Sequence, residues 1–148
     1  MTSFFPDVNV WLALSVAQHP HNAPSWNWLN MLSPVPTLLF CRVTQLGLLR
    51  LLTNESVMGE KVCTLANAWR IYDQWRYDPR VDFHPEPQDL DSRFRVTTAT
   101  LRATPATKAV GDCYLLSYAV ECDARLVTFD KGLFRYAKQQ GHRVVMPA

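Results

Sequence analysis

Three aspartates draw attention by where they fall: Asp7, Asp112 and Asp130. Asp7 is the sole Asp, Glu, Lys or Arg between Met1 and Cys41. A carboxylate isolated in so apolar a stretch costs several kcal/mol if it is buried without a partner. Capping the helix that follows would explain an Asp there, yet Asn9 or Ser3 could cap without a buried charge. A metal ligand that also caps is the reading adopted. Asp112 and Asp130 bound the run GDCYLLSYAVECDARLVTFD (111–130), read as a helix opening on Asp112, a turn through Asp123 and a short buried strand ending on Asp130. In a parallel sheet, a strand's carboxyl end and the amino end of a following helix share one rim, so these acids can face one crevice.

Crowded carboxylates repel one another and stay ionised near neutrality only beside something positive. Oxygen donors of this kind suit a hard divalent ion, Mg2+ or Mn2+, which can activate water and offset phosphate charge in a hydrolysis. Gln45 is a fourth donor, in the first turn of a helix that follows a strand. Asn9 and Thr128, close to the acids in sequence, can orient them. Lys131, Arg135, Lys138 and Arg143 follow Asp130 with no acid among them, a local basic patch whose plainer explanation is a solvated helix face.

The elements that must position these groups alternate between strand and helix. Strands are expected at 3–6, 37–41, 81–83, 125–129 and 142–146, and helices at 8–17, 22–32, 43–54, 60–76, 90–101, 112–121 and 134–139. On the 60–76 helix the expected apolar side is Val62, Leu65, Ala66, Trp69 and Tyr72. On the helix after Asp112 it is Leu115, Leu116, Ala119 and Val120. Residues 104–108 read as a loop, and His19-Pro20-His21 as a chain break rather than a metal site. Trp26 and Trp28 lie two apart and cannot share a helical face, so one is assigned to the core and the other to a partner surface.

Composition narrows the function classes. With 48% hydrophobic residues and only five glycines in 148 residues, a disordered chain is excluded and a single domain over 1–148 is expected. A net charge of +2 is too small to demonstrate a nucleic-acid partner by itself. The four cysteines have no CxxC spacing and sit in apolar runs, so they read as buried free thiols of a reducing compartment. The opening MTSFFPDVNVWLALSVA has no positive leader and carries an Asp in its middle, unlike a secretion signal, and no run reaches the length of a membrane span. A cytoplasmic protein is expected.

At DVNVWLAL (7–14), HPHNAPSWNWL (19–29), VTQLGLLRLLTN (43–54), GDCYLLSYA (111–119) and LVTFDKGLF (126–134) the chain resembles the PIN-domain family, especially the VapC-type toxins of toxin–antitoxin pairs. The motifs follow the family's order and span nearly the whole chain. The resemblance implies a three-layer α/β/α sandwich around a parallel sheet of about five strands, with a helical insertion between the second and third. It also implies a metal-dependent endoribonuclease inhibited by a cognate antitoxin, with the family's acids at Asp7, Asp112 and Asp130. Gln45 departs from the family, which mostly carries Glu in the VTELG-like motif. An amide can ligate a metal but adds no charge, so a weaker or single-ion site is expected, with Gln45 positioning the attacking water. Arg50, Lys131 and Arg135 are the expected phosphate contacts. Trp26, Trp28, Trp69 and Trp75 are the expected exposed aromatics, for an antitoxin helix or a homodimer face. Two other classes stay open: a PIN-like module that binds RNA or a partner without cutting, and a doubly wound phosphatase or phosphotransferase working through a phospho-aspartate.

Overall fold

Phe4-Phe5-Pro6, Leu38-Leu39-Phe40 and Leu126-Val127 are uninterrupted apolar runs, the pattern of strands covered on both faces. The computed structural model, which describes residues 2–148, arranges them accordingly. Strands β1 (Ser3–Pro6), β2 (Thr37–Phe40), β3 (Val81–Phe83), β4 (Ala124–Val127) and β5 (Val144–Val145) form one parallel sheet in the order β3-β2-β1-β4-β5. The helices are α1 (Val8–Ser15), α2 (Asn22–Met31), α3 (Arg42–Leu52), α4 (Glu55–Met58), α5 (Leu65–Tyr77), α6 (Leu90–Thr98), α7 (Thr107–Glu121) and α8 (Lys131–Gln139).

Successive strand residues point to opposite faces, and two cores result. Phe4, Leu38, Phe40 and Val127 pack with Trp11 of α1, Leu48 of α3 and Tyr72 of α5 on one face. Phe5, Leu39 and Leu126 pack with Leu116 and Tyr118 of α7 and Leu133 of α8 on the other. Trp11 is fully buried, stacked on Phe40 with ring centres 3.9 Å apart and meeting Trp75 edge-on at 5.2 Å. Burying each such side chain contributes about 1.5–3 kcal/mol. The expected three-layer sandwich is present, with α3, α4 and α5 between the second and third strands.

Chain order makes one crevice special. From β1 the chain steps to β2 and β3 on one side, then returns past β1 to β4 on the other. The strand order therefore reverses between β1 and β4, where a doubly wound sheet opens a crevice at its carboxyl edge. Ser3 to Pro6 register with Ala124 to Val127, and the Asp7 amide donates to the Val127 carbonyl at 2.8 Å. Whatever follows these two strands is thus side by side.

Several sequence expectations need correction. The 60–76 helix is broken: α4 ends at Gly59, whose φ is +56°, a short 3-10 turn covers Gly59–Lys61, and α5 starts only at Leu65. Thr64 caps it, its side chain accepting from the Asn67 amide at 3.2 Å. The buried face of α5 is Ala68, Tyr72 and Trp75, whereas Leu65, Ala66 and Trp69, together with Val62 ahead of the helix, are exposed. Helix α7 begins at Thr107, five residues before Asp112, and Val120 on it is exposed. Strand β4 stops at Val127, and α8 begins at Lys131 rather than 134. Of the four tryptophans expected at the surface only Trp69 is exposed. Trp26 and Trp28 are half-buried, the first donating to the Leu14 carbonyl at 3.0 Å and the second edge-on to Phe4, and Trp75 is buried. Two of the four free cysteines, Cys41 and Cys113, are buried, while Cys63 and Cys122 are partly exposed.

Candidate active site

Asp7 follows β1 directly and caps α1, its Oδ1 accepting from the Val8 amide at 2.7 Å. Its other oxygen accepts from the Thr128 hydroxyl at 3.0 Å. Thr128, fully buried just beyond β4, also accepts from the Asp130 amide at 3.0 Å and from Asn9 Nδ2 at 3.4 Å. Asn9 in turn accepts from the Phe129 amide at 3.3 Å. Asp130 caps α8 through Oδ1, which accepts from the Leu133 amide at 3.0 Å. One hydroxyl therefore ties together the two chain segments that cross the switch point. Asn9 and Thr128 sit where groups that orient the acids would sit.

Asp112 lies in the second turn of α7, half-buried, and no hydrogen bond reaches its carboxylate among the described residues. The three acids feel one another. Burial raises the Asp7 carboxyl above its ordinary value, partly countered by Thr128 and the Val8 amide, and Asp112 and Asp130 raise it further. Burial and then the charge of Asp130 raise Asp112, against a lowering influence of Lys108. Asp130 moves the other way, lowered first by the Leu133 amide and then by Lys108.

Lys108 is a site residue that sequence pattern does not reveal. Its Nζ lies 2.9 Å from Asp130 Oδ2. It stands four residues before Asp112 on α7, and so shares its face. That spacing is the available signal, hidden because 104–108 reads as a loop. Gln45, buried on α3, does not touch the carboxylates: its Oε1 accepts from Arg42 Nη1, and that guanidinium lies 4.7 Å over the Phe83 ring. Lys131 and Arg135 are exposed in the first turns of α8, next to Asp130. Arg50 is exposed in the last turn of α3, five residues beyond Gln45. The His21 ring stacks on Phe129 with centres 4.3 Å apart, which brings the 19–21 turn against the segment between Thr128 and Asp130.

The donor chemistry suits a hard divalent ion, since it consists of oxygens alone. The half-buried Asp112 carboxylate, repelled by Asp130 and without a hydrogen-bond donor among the described residues, has the environment a cation would relieve. As the side chains stand, no group of three or more His, Cys, Asp or Glu is gathered tightly enough to hold an ion, among the described residues. Asp7 accepts from Thr128 and Val8, and Asp130 from Lys108 and Leu133, which leaves each carboxylate oxygen a second lone pair.

Residues 4–139 match the family model of the PIN domain. The chain is 36% identical over 134 residues to Ribonuclease VapC41 of Mycobacterium tuberculosis, a match spanning 88% of this chain and 90% of that protein. Its fold is similar to that in the crystal structure of VapBC2 from Rickettsia felis bound to a DNA fragment from their promoter. The TM-score there is 0.72 at 13% identity, covering 99% of this chain and 100% of that one. VapBC-1 from nontypeable Haemophilus influenzae gives 0.69 at 15% identity, covering 98% of each chain. Those identities speak to fold, and the fold they share is the sandwich described above. With a family model matched over nearly all of its length and a VapC relative more than one-third identical to it, the chain belongs to the PIN-domain family.

Proposed function

We propose that the chain is a metal-dependent endoribonuclease, a single domain over 1–148 that acts in the cytoplasm as the toxin of a type II toxin–antitoxin pair. The observation that carries the reading is the meeting of Asp7, Asp112 and Asp130 at the β1/β4 switch point. The relative named a ribonuclease supports it. In this reading the three carboxylates hold Mg2+ or Mn2+, which supplies Lewis acidity toward water and phosphate oxygens when bound. The protein's part is orientation. Thr128, Asn9 and the Val8 and Leu133 amides fix Asp7 and Asp130, so two of the three acids are aimed before substrate arrives. Asp112, half-buried and with no hydrogen bond to its carboxylate among the described residues, keeps its oxygens open for the ion. Lys131, Arg135 and Arg50 hold RNA through its phosphates, and Gln45 helps position the water once its amide turns from Arg42.

The partner is a cognate antitoxin, as in the complexes the fold resembles. Exposed apolar side chains on two helices that pack together, Val43 and Leu46 on α3 and Leu65 and Trp69 on α5, support a protein-covered face, with a homodimer as its other use. One observation favours the reading of a module that binds without cutting: Gln45 brings no charge, and its amide oxygen is engaged by Arg42.

Cleavage of a mixed RNA substrate with Mg2+, Mn2+ or EDTA, beside Asp112→Asn, tests the proposal. Cutting that needs the ion and vanishes in the variant is the expected result. RNA binding without cutting under either ion would establish the silent module instead. Activity surviving both EDTA and the variant would overturn the carboxylate mechanism.

A further inference from the structure

Lys108 belongs to the acidic centre, yet the proposed function leaves it unused. It is the second residue of α7, and its side chain is 75% exposed apart from the contact with Asp130. Helix stability does not explain it. A cation in the first turn opposes the helix dipole, and α7 starts without a side-chain cap or an acid in its first turn. Its position is instead matched to the carboxylates: one helical turn from Asp112 on the same helix, and 2.9 Å from Asp130 across the crevice. The electrostatics of the crevice point the same way. Asp130, Asp112 and Asp7 all act on the Lys108 ammonium, in that order of strength.

The charge balance gives this contact a meaning. Three carboxylates bring −3, and Gln45 adds no charge. The Lys108 ammonium brings the ion-free centre to −2, and when it leaves, the three carboxylates present −3 to an incoming divalent ion. As the side chains stand, Lys108 also occupies an oxygen of Asp130 that an ion would need.

We propose that Lys108 is the resident cation of the acidic centre: it holds Asp130 while no divalent ion is present, and it must release Asp130 for an ion to bind. This rests on the reading of the three aspartates as ion ligands. Lys108 thereby sets the ion concentration at which the centre fills. Its long exposed stem lets the ammonium leave without disturbing α7, and once free it stays at the crevice mouth as a positive group facing incoming RNA phosphate.

Calorimetric titration of the RNA-free protein with Mn2+ tests the proposal, using wild type, Lys108→Met and Lys108→Arg. Removing a competing monovalent charge at an exposed pair is expected to tighten Mn2+ binding about two- to fivefold in Lys108→Met. Lys108→Arg, which keeps the charge, should stay near wild type. Affinity in Lys108→Met equal to or weaker than wild type would overturn the proposal, because the contact with Asp130 would then be an ordinary surface pair or a support for the ligand. Absence of Mn2+ binding in all three proteins would overturn the ion-ligand reading and the role of Lys108 with it. Wild-type binding left unchanged by Lys108→Met sinks the lysine proposal alone. Thermal unfolding of the same samples confirms that each variant is folded.

Discussion

Replacing Thr128 by valine removes one hydroxyl at nearly constant shape, at the point where the two halves of the site are joined. The hydroxyl donates to the Asp7 carboxylate and accepts from the Asp130 amide, each at 3.0 Å, in a side chain with no exposed surface. Losing a hydrogen bond to a charged group costs about 1.5–3 kcal/mol, and an amide left without its acceptor costs about 1–3 kcal/mol. Asp7 keeps the Val8 amide and some access to water, so the two losses do not add in full. A net destabilisation of about 2–4 kcal/mol is expected, which for a chain of this length lowers Tm by about 5–15 °C. Thr128→Ser is the control. It keeps the hydroxyl and gives up a methyl group, for about 1 kcal/mol. Thermal unfolding followed by circular dichroism in EDTA measures both. Thr128→Val should melt well below Thr128→Ser. If the two melt within about 2 °C of each other, the hydroxyl does not join β1 to β4 and the argument for a pre-aimed Asp7 falls with it.

Other consequences can be checked with equally simple measurements. A Cβ at Gly47 would meet Val8 Cγ2 at 2.6 Å, whereas one at Gly111 meets nothing within 4 Å. Gly47→Ala should therefore lose about 1–2 kcal/mol through overpacking of α1 on α3, while Gly111→Ala gains about 0.5–1 kcal/mol, so equal signs in chemical denaturation would refute the packing at Gly47. Asp7 is raised above its unfolded value, so its contribution is fully present in acid and is lost as pH rises through the folded pKa. Asp130 is lowered and behaves oppositely, losing its contribution as pH falls. In ion-free buffer the Tm of Asp7→Asn relative to wild type should accordingly grow between about pH 4 and pH 7, and a flat difference would mean that burial does not penalise the carboxylate. Charge removal at Lys131 and Arg135 should weaken RNA binding and reduce the salt slope by about 0.7 for each phosphate no longer neutralised. A slope identical to wild type would take both residues out of the RNA path.

Sequence pattern reveals the sheet well because its strands are short, mostly apolar runs set off by Pro and Asp, and because Asp7 has no charged neighbour to share the explanation. It fails where two patterns fit equally. On α5, Leu65, Trp69 and Tyr72 make a helical stripe, but so do Ala68, Tyr72 and Trp75, and the second is the buried one. A small Ala at the contact gives no hydrophobic signal, although its size is what lets the helix approach. The start of α7 is hidden for a different reason. Ala106 provides no side-chain cap, so nothing marks the boundary and Thr107 to Val110 resemble loop. Reading them so moves Lys108 off the helix and out of reach of Asp112. Asp130 reads as a strand end because the apolar run carries on to Phe129. Yet Asp-Lys-Gly-Leu is also a helix start, and in the structure the Asp130 carboxylate accepts from the Leu133 amide.

Gln45, which departs from the family's usual pattern, and Lys108 belong to one electrostatic arrangement. Where an acid is usual the chain has Gln45, and the guanidinium of Arg42 sits against it, supported on Phe83. A glutamate at 45 would find Arg42 already within reach. Much of its charge would then be taken up in an ion pair at the base of α3 rather than directed at the crevice, so Gln45→Glu alone is a weak way to restore a fourth acid. On the opposite wall Lys108 neutralises part of Asp130. Lys108 lowers the negative charge of the crevice directly, while Gln45 leaves the base of α3 without an acid beside Arg42. On the proposed reading, such a centre tolerates three neighbouring carboxylates without a bound ion and would bind an ion more weakly as a result. The acids remain strained even so, since Asp7 and Asp112 are both raised despite the lysine. That residual repulsion is what a divalent ion would relieve on binding.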